Sequence, residues 1–166
     1  MLVKYIIENV IFLGIFTLLV RLYAIGGAIN AVFFYPKEYQ HLAVERGLTT
    51  EEHIKKRHRI FLSTFILALL IILITIIGII NKAATFKSAY LESLLFLEIM
   101  NVFDGIVIDK IWVAYSKLWR IDGMEDMPFV QTWKQVLKKR LTLAVMWIPL
   151  STVTAGLALL LNRIVY

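Results

Sequence analysis

IFLSTFILALLIILITIIGII, residues Ile60 to Ile80, is a run of 21 residues without a charge, built mostly from Ile and Leu. At 1.5 Å per residue, roughly 20 apolar residues of helix cross the ~30 Å hydrocarbon core of a bilayer. The run matches that length, and a soluble core would not need it uncharged from end to end. Its reading sets the class of the whole chain, an all-α polytopic membrane helix bundle.

Three more stretches of similar length surround it. The predicted spans are residues 5–24, 60–80, 88–108 and 141–161, in one membrane domain covering 1–166, with Pro149 a potential kink in the last. Hydrophobic residues make up 60% of the chain, against roughly 45–50% in soluble domains. Lys4 before an apolar run, with Ala24, Gly26, Gly27 and Ala28 after it, has the outline of a secretory leader. Glu8 interrupts that run, so it is read as a span. There is no cysteine, which excludes thiol catalysis, disulfides and Cys-based metal sites.

Charge sets the expected orientation. Lys37, Arg46, Lys55, Lys56, Arg57 and Arg59 lie between spans one and two. Lys117, Arg120, Lys134, Lys138, Lys139 and Arg140 lie between spans three and four. The middle loop has only Lys82 and Lys87, and the ends add Lys4 and Arg163. The positive-inside rule therefore puts loops 36–59 and 110–140 in the cytoplasm and both termini outside the cell membrane. The net charge of +6 follows from the same bias. It fits anionic lipid as a partner, with Lys55, Lys56, Arg57 and Arg59 as head-group candidates, and not nucleic acid.

The loops themselves read as helical. Pro36 ends the first helix, residues 37–46 form a short one closed by Gly47, and Thr49 to Glu52 has the form of a capping box opening the next. Glu51–Lys55 and Glu52–Lys56 are favourable i,i+4 pairs. Phe129, Val130, Trp133, Val136 and Leu137 share one face opposite Lys134, Lys138 and Lys139, the pattern of an interfacial amphipathic helix. Trp112, Trp119, Trp133 and Trp147 suit the membrane interface.

The third span is the unusual one, because it is apolar and acidic together. At about 100° per residue, Asn101, Gly105 and Asp109 lie within about 60° of Glu98, in one stripe. Asp104 and Glu92 fall about 120° away on either side. Gly105 lets a neighbouring helix approach the stripe. Glu92 is expected near the outer surface and Asp109 near the cytoplasmic one. Arg21 matches the depth of Asp104, so an Arg21–Asp104 or Arg21–Asp109 ion pair is expected. Glu98 has no cation at its depth, so the neutral acid is expected there, with Asn101 as its hydrogen-bonding neighbour.

Other chemistry is not signalled. His41, His53 and His58 are not at helical metal spacing, and Asp122, Glu125 and Asp126 do not make an EF-hand loop. No serine has a histidine at its depth, and no nucleotide or cofactor motif occurs. The leading expectation is a non-enzymatic accessory or interaction subunit, partnered by another membrane protein or a second copy. The rival is a proton- or cation-coupled transporter component using Glu98. The third is a lipid-active enzyme working through Asp104, Asp109 or the histidines.

Tyr35-Pro36-Lys37-Glu38-Tyr39-Gln40, Phe103-Asp104-Gly105-Ile106-Val107-Ile108-Asp109 and Asp122-Gly123-Met124-Glu125 resemble motifs of small, uncharacterised bacterial four-span membrane proteins. There the last motif is closer to Pro-Gly-Thr-Glu. The resemblance implies a four-helix membrane fold and topology, draws attention to Asp104 and Asp109, and implies no activity.

Overall fold

The computed structural model describes residues 2–127 and 131–166, and these contain helices and no strand. Helix α1 is Leu2–Tyr23, followed by a 3₁₀ segment, Ala28–Phe34, and α2, Lys37–Glu45. Helix α3, Glu51–Ile74, continues as a π-helical stretch, Thr75–Ile80. Helix α4, Phe86–Phe103, continues as a second π-helical stretch, Asp104–Trp112, and a last turn, α5, Val113–Tyr115. Helix α6 is Trp133–Val165.

Three helices are long and apolar enough to cross a membrane: Val3–Tyr23, Glu51–Ile80 and Trp133–Val165. The helical rod from Phe86 to Tyr115 has comparable length, roughly 45 Å, but carries Lys87, Glu92, Glu98, Asp104, Asp109 and Lys110.

Local chemistry explains most helix starts. Thr50 caps α3 by accepting from the His53 amide, one residue later than the expected Thr49–Glu52 box. Thr85 with Ser88, and Thr132 with Gln135, form reciprocal capping boxes on α4 and α6. The expected amphipathic helix is not a separate element. Trp133, Val136 and Leu137 lie in the first turns of α6, where Val136 is buried and Trp133 and Leu137 are exposed. Phe129 and Val130 lie outside the described residues.

Packing follows two rules. Large rings fill the space between α1, α3 and α4: Phe12 meets Phe96 edge-on with centroids 5.5 Å apart, and Phe16 meets Phe65 at 5.9 Å. Small residues let α6 approach its neighbours. Ala89 and Ser93 of α4, and Ser151, Thr154, Ala155 and Ala158 of α6, are wholly buried. A close approach lies at Gly78, in the π-helical end of α3, whose carbonyl accepts from Asn162 Nδ2 at 3.0 Å.

The loops join at the basic end of the bundle. The Tyr35 hydroxyl donates to the Trp119 carbonyl, and Gln40 Nε2 donates to the Tyr35 carbonyl at 2.8 Å. Arg46 forks onto Asp126 with two bonds of 2.7 Å and donates to the Gly123 carbonyl at 2.6 Å. That fork holds the exposed Asp126 carboxyl below its ordinary range. Two of the three motif segments quoted above meet here, since Tyr35 and Tyr39 line a small pocket with Met124 and Glu125.

A Cβ at Gly78 would stand 2.6 Å from the Ala158 carbonyl oxygen, whereas one at Gly156 meets nothing within 4 Å. Gly78→Ala is expected to destabilise the bundle by about 1–3 kcal/mol, and Gly156→Ala to be neutral or mildly stabilising. Reversible unfolding in bicelles measures both. Equal effects at the two sites would contradict the close approach.

Candidate functional site: an ion-pair network under a mostly apolar cavity

An α-helix would turn Asp104 and Asp109 about 140° apart. In the π-helical stretch the bonds run from residue i to i+5, so residues five apart return to nearly the same face. Both carboxylates therefore point at α6. There they meet Arg140: one guanidinium nitrogen contacts Asp104 closely, and Nη2 lies 2.8 Å from Asp109 Oδ2. Lys139 Nζ completes the group at 3.1 Å from the same oxygen. Two acids and two bases balance, which is what burial of Asp109 to 6% exposure requires.

Asn101 ties the network to the helix above. Its Nδ2 donates to the Arg140 carbonyl at 3.0 Å and to Glu98 Oε2 at 3.2 Å, and Arg140 Nη1 donates to its backbone carbonyl at 3.3 Å. Gly105 gives the Arg140 stem its place, since a Cβ there would be 3.0 Å from Arg140 Cδ. Lys110 reaches away from the acids, donating to the Gln131 carbonyl at 2.6 Å with the Trp133 ring 4.9 Å from its ammonium.

These placements revise the sequence reading. The cation answering Asp104 and Asp109 is Arg140, not Arg21. Arg21 forms no ion pair among the described residues. Asp109 is buried and paired instead of being a surface group. Glu98 does touch Asn101, but it is half-buried on the side of the stripe. Glu92 is not at the surface. It is buried at the opposite end of the bundle, where Asn81 donates to it and to Glu8.

Among the head-group candidates, Arg57 turns inward and donates to the carbonyls of Tyr23 (2.9 Å) and Asn30 (3.2 Å). Lys55 pairs with Glu51 at 3.0 Å, and Lys56 and Arg59 are exposed. The residues missed were Lys139 and Arg140, counted only as topology charges. Their place at the start of the last span, level with Asp104 and Asp109, was the available signal.

Beside the network lies a cavity of about 300 Å³, between α1, α3, the π-helical part of α4, and α6. Phe16, Phe61, Phe65 and Leu143 form its apolar wall, and Asp104, Asp109, Lys139 and Arg140 its charged end. Leu62 and Met146, also in the lining, are exposed on the outer surface of the bundle, so the cavity reaches that surface between α3 and α6. Tyr35 and His58 also line it, with the His58 ring stacked on Phe33 at 5.8 Å. Burial pushes the Tyr35 hydroxyl far above its ordinary pKa, so it stays a neutral donor.

Three N–H groups of lining residues are buried without a hydrogen-bond partner: Arg140 Nε, Trp119 Nε1 and Trp147 Nε1. Both tryptophans are more than nine-tenths buried. No three-residue cluster of His, Cys, Asp or Glu that could hold a metal ion occurs among the described residues.

No protein-family profile, curated protein or solved structure matches the chain.

Removing one partner of a buried ion network leaves an uncompensated charge, worth about 3–5 kcal/mol. Arg140→Met is expected to lose that much stability. Asp104→Asn, Asp109→Asn and Arg140→Met together should recover most of it. Chemical unfolding of the two variants tests this, and equal losses would show that the network is not the cause.

Proposed function

We propose that the chain is a four-span integral protein of the cell membrane, with both termini extracytoplasmic, that works by binding an amphiphile and not by catalysis. Its role is that of an accessory or interaction subunit carrying one lipid-like molecule in the cavity beside Arg140. The observation behind this reading is that one cavity has both an apolar wall and a charged end, formed by Asp104, Asp109, Lys139 and Arg140. An ester carbonyl or phosphate oxygen at the polar end, with an acyl chain along Phe61, Phe65 and Leu143, answers both surfaces.

The size is consistent, since 300 Å³ is at the lower end for ligand pockets, enough for a single chain and its ester. The opening between Leu62 and Met146 favours entry from the bilayer. Lys56 and Arg59, exposed on α3, would meet anionic head groups. Glu98 does not line the cavity and Asn101 is committed to Arg140, which favours binding over a proton relay through that pair. Asp104 and Asp109 are both held by Arg140, which leaves neither arranged as a general base.

The four-span reading draws on the Phe86–Tyr115 rod, whose length suits a bilayer and whose charges turn largely inward. The absence of native cysteine allows single-cysteine labelling. His53→Cys is expected to react only from the cytoplasmic side, and Ala84→Cys only from outside. Labelling of both from the same side would remove this topology.

For the ligand, native mass spectrometry of the full chain released from phospholipid nanodiscs is expected to retain one phospholipid per chain. Leu143→Trp, which fills the cavity, should abolish retention without loss of helicity. Lys139→Gln, which removes one cation from the charged end, should weaken it about tenfold, the worth of one hydrogen bond to a charged group. Undiminished retention in Leu143→Trp would sink the proposal.

A further inference from the structure

At the end of the bundle opposite Arg140, α1, the π-helical end of α3 and the first turns of α4 bring Glu8, Asn81 and Glu92 together. Glu8 and Glu92 are 9% and 8% exposed. A single nitrogen, Asn81 Nδ2, donates to both, to Glu8 Oε2 at 3.1 Å and to Glu92 Oε1 in a shorter contact. The two carboxyls are otherwise treated differently. Lys4 Nζ lies 3.7 Å from Glu8 Oε1 and donates to the Ile80 carbonyl at 3.3 Å. Glu92 has the Tyr5 hydroxyl as a neighbour and no cation in ion-pair range among the described residues. Of the other cations close in sequence, Lys82 is held over the Tyr166 ring at 3.8 Å, and Lys87 is exposed at the start of α4.

The cluster is short of positive charge and of donors. Two buried carboxyls face one half-exposed ammonium. Glu8 Oε1 and Asn81 Oδ1 are buried with no hydrogen-bond partner, and both only accept. Glu8 is itself more than nine-tenths buried. No group of three His, Cys, Asp or Glu side chains that could hold a metal ion lies here among the described residues. One proton supplies both the missing charge and a new O–H donor. When two carboxyls share a site, one is held as the neutral acid.

We propose that Glu92 is a proton-binding residue, held as the neutral acid beside Glu8, which Lys4 answers, and that this three-helix junction is a proton site at the extracytoplasmic end of the bundle. Release of the proton sets two carboxylates against one ammonium and loosens α1 from α4. The site is independent of the cavity beside Arg140 and stands whether or not a lipid binds there.

Infrared difference spectroscopy of the full chain in nanodiscs, titrated from neutral to alkaline pH, tests it. The expected result is a protonated-carboxyl C=O band at neutral pH that disappears on alkaline titration and shifts in D₂O. Glu92→Gln should remove it, Glu98→Gln should keep it, and Glu92→Asp, which retains a carboxyl, should move its frequency. Glu8→Gln removes the like charge and should shift the titration to lower pH, which a purely structural role for Glu8 would not do. Replacing sodium by choline at constant pH should leave the band unchanged. A band absent at neutral pH, one that survives Glu92→Gln, or one that sodium displaces would overturn the proposal.

Discussion

Arg140 is where the helices at the basic end of the bundle are tied to one another. A guanidinium has a rigid fork of donors, and here the fork reaches two carboxylates at once. This demands that Asp104 and Asp109 share a face, which an α-helix would not provide and a π-helical stretch does. It also demands that α6 come close to α4, which Gly105 allows. Asn101 then binds the backbone of Arg140, so the side-chain network also aligns the two helices. The polar end of the cavity is a consequence of this one arrangement.

The two ends of the bundle have opposite shortages. Beside Arg140, the buried groups without partners are N–H donors, enclosed in the packing around the cavity. Around Glu8 and Glu92, they are mainly acceptor oxygens, set against a carboxyl pair. Desolvated polar groups are costly, and a shortage of donors beside two carboxyls is one that a proton would answer. Between the ends, small residues of α4 and α6 pack closely, and the aromatic pairs Phe12–Phe96 and Phe16–Phe65 fill the interior up to the cavity wall.

Much of this was legible from residue type and spacing. The uncharged 60–80 run, the apolar runs at 5–24 and 141–161, and the extension of the second helix back to Glu51 follow from length and hydropathy. The contact between Glu98 and Asn101 follows from a spacing of three on a helix. A uniform 100° turn separates Asp109 from Asp104, whereas the π winding that begins at Asp104 brings them to one face, and a π-helical stretch has no dependable signature in composition. Arg57 read as a lipid-facing charge because it sits in a basic run, but it binds the carbonyls at the end of α1 and near Asn30. Glu92 read as a surface group because it lies near a helix start, where depth alone suggests water.

By itself, the sequence determined the class of elements, the apolar helices of membrane-crossing length and the segment in which the acids lie. These depend on periodicity and transfer free energy, which act residue by residue along the chain. Only the tertiary structure decided which cation meets which acid, that Glu92 is paired with Glu8 through Asn81, and that a cavity forms beside Arg140. Most of those outcomes depend on side chains 30 to 73 positions apart in sequence meeting in space. A local change from α to π winding can rotate such side chains onto a different neighbour without altering the hydrophobic pattern that encodes the helix.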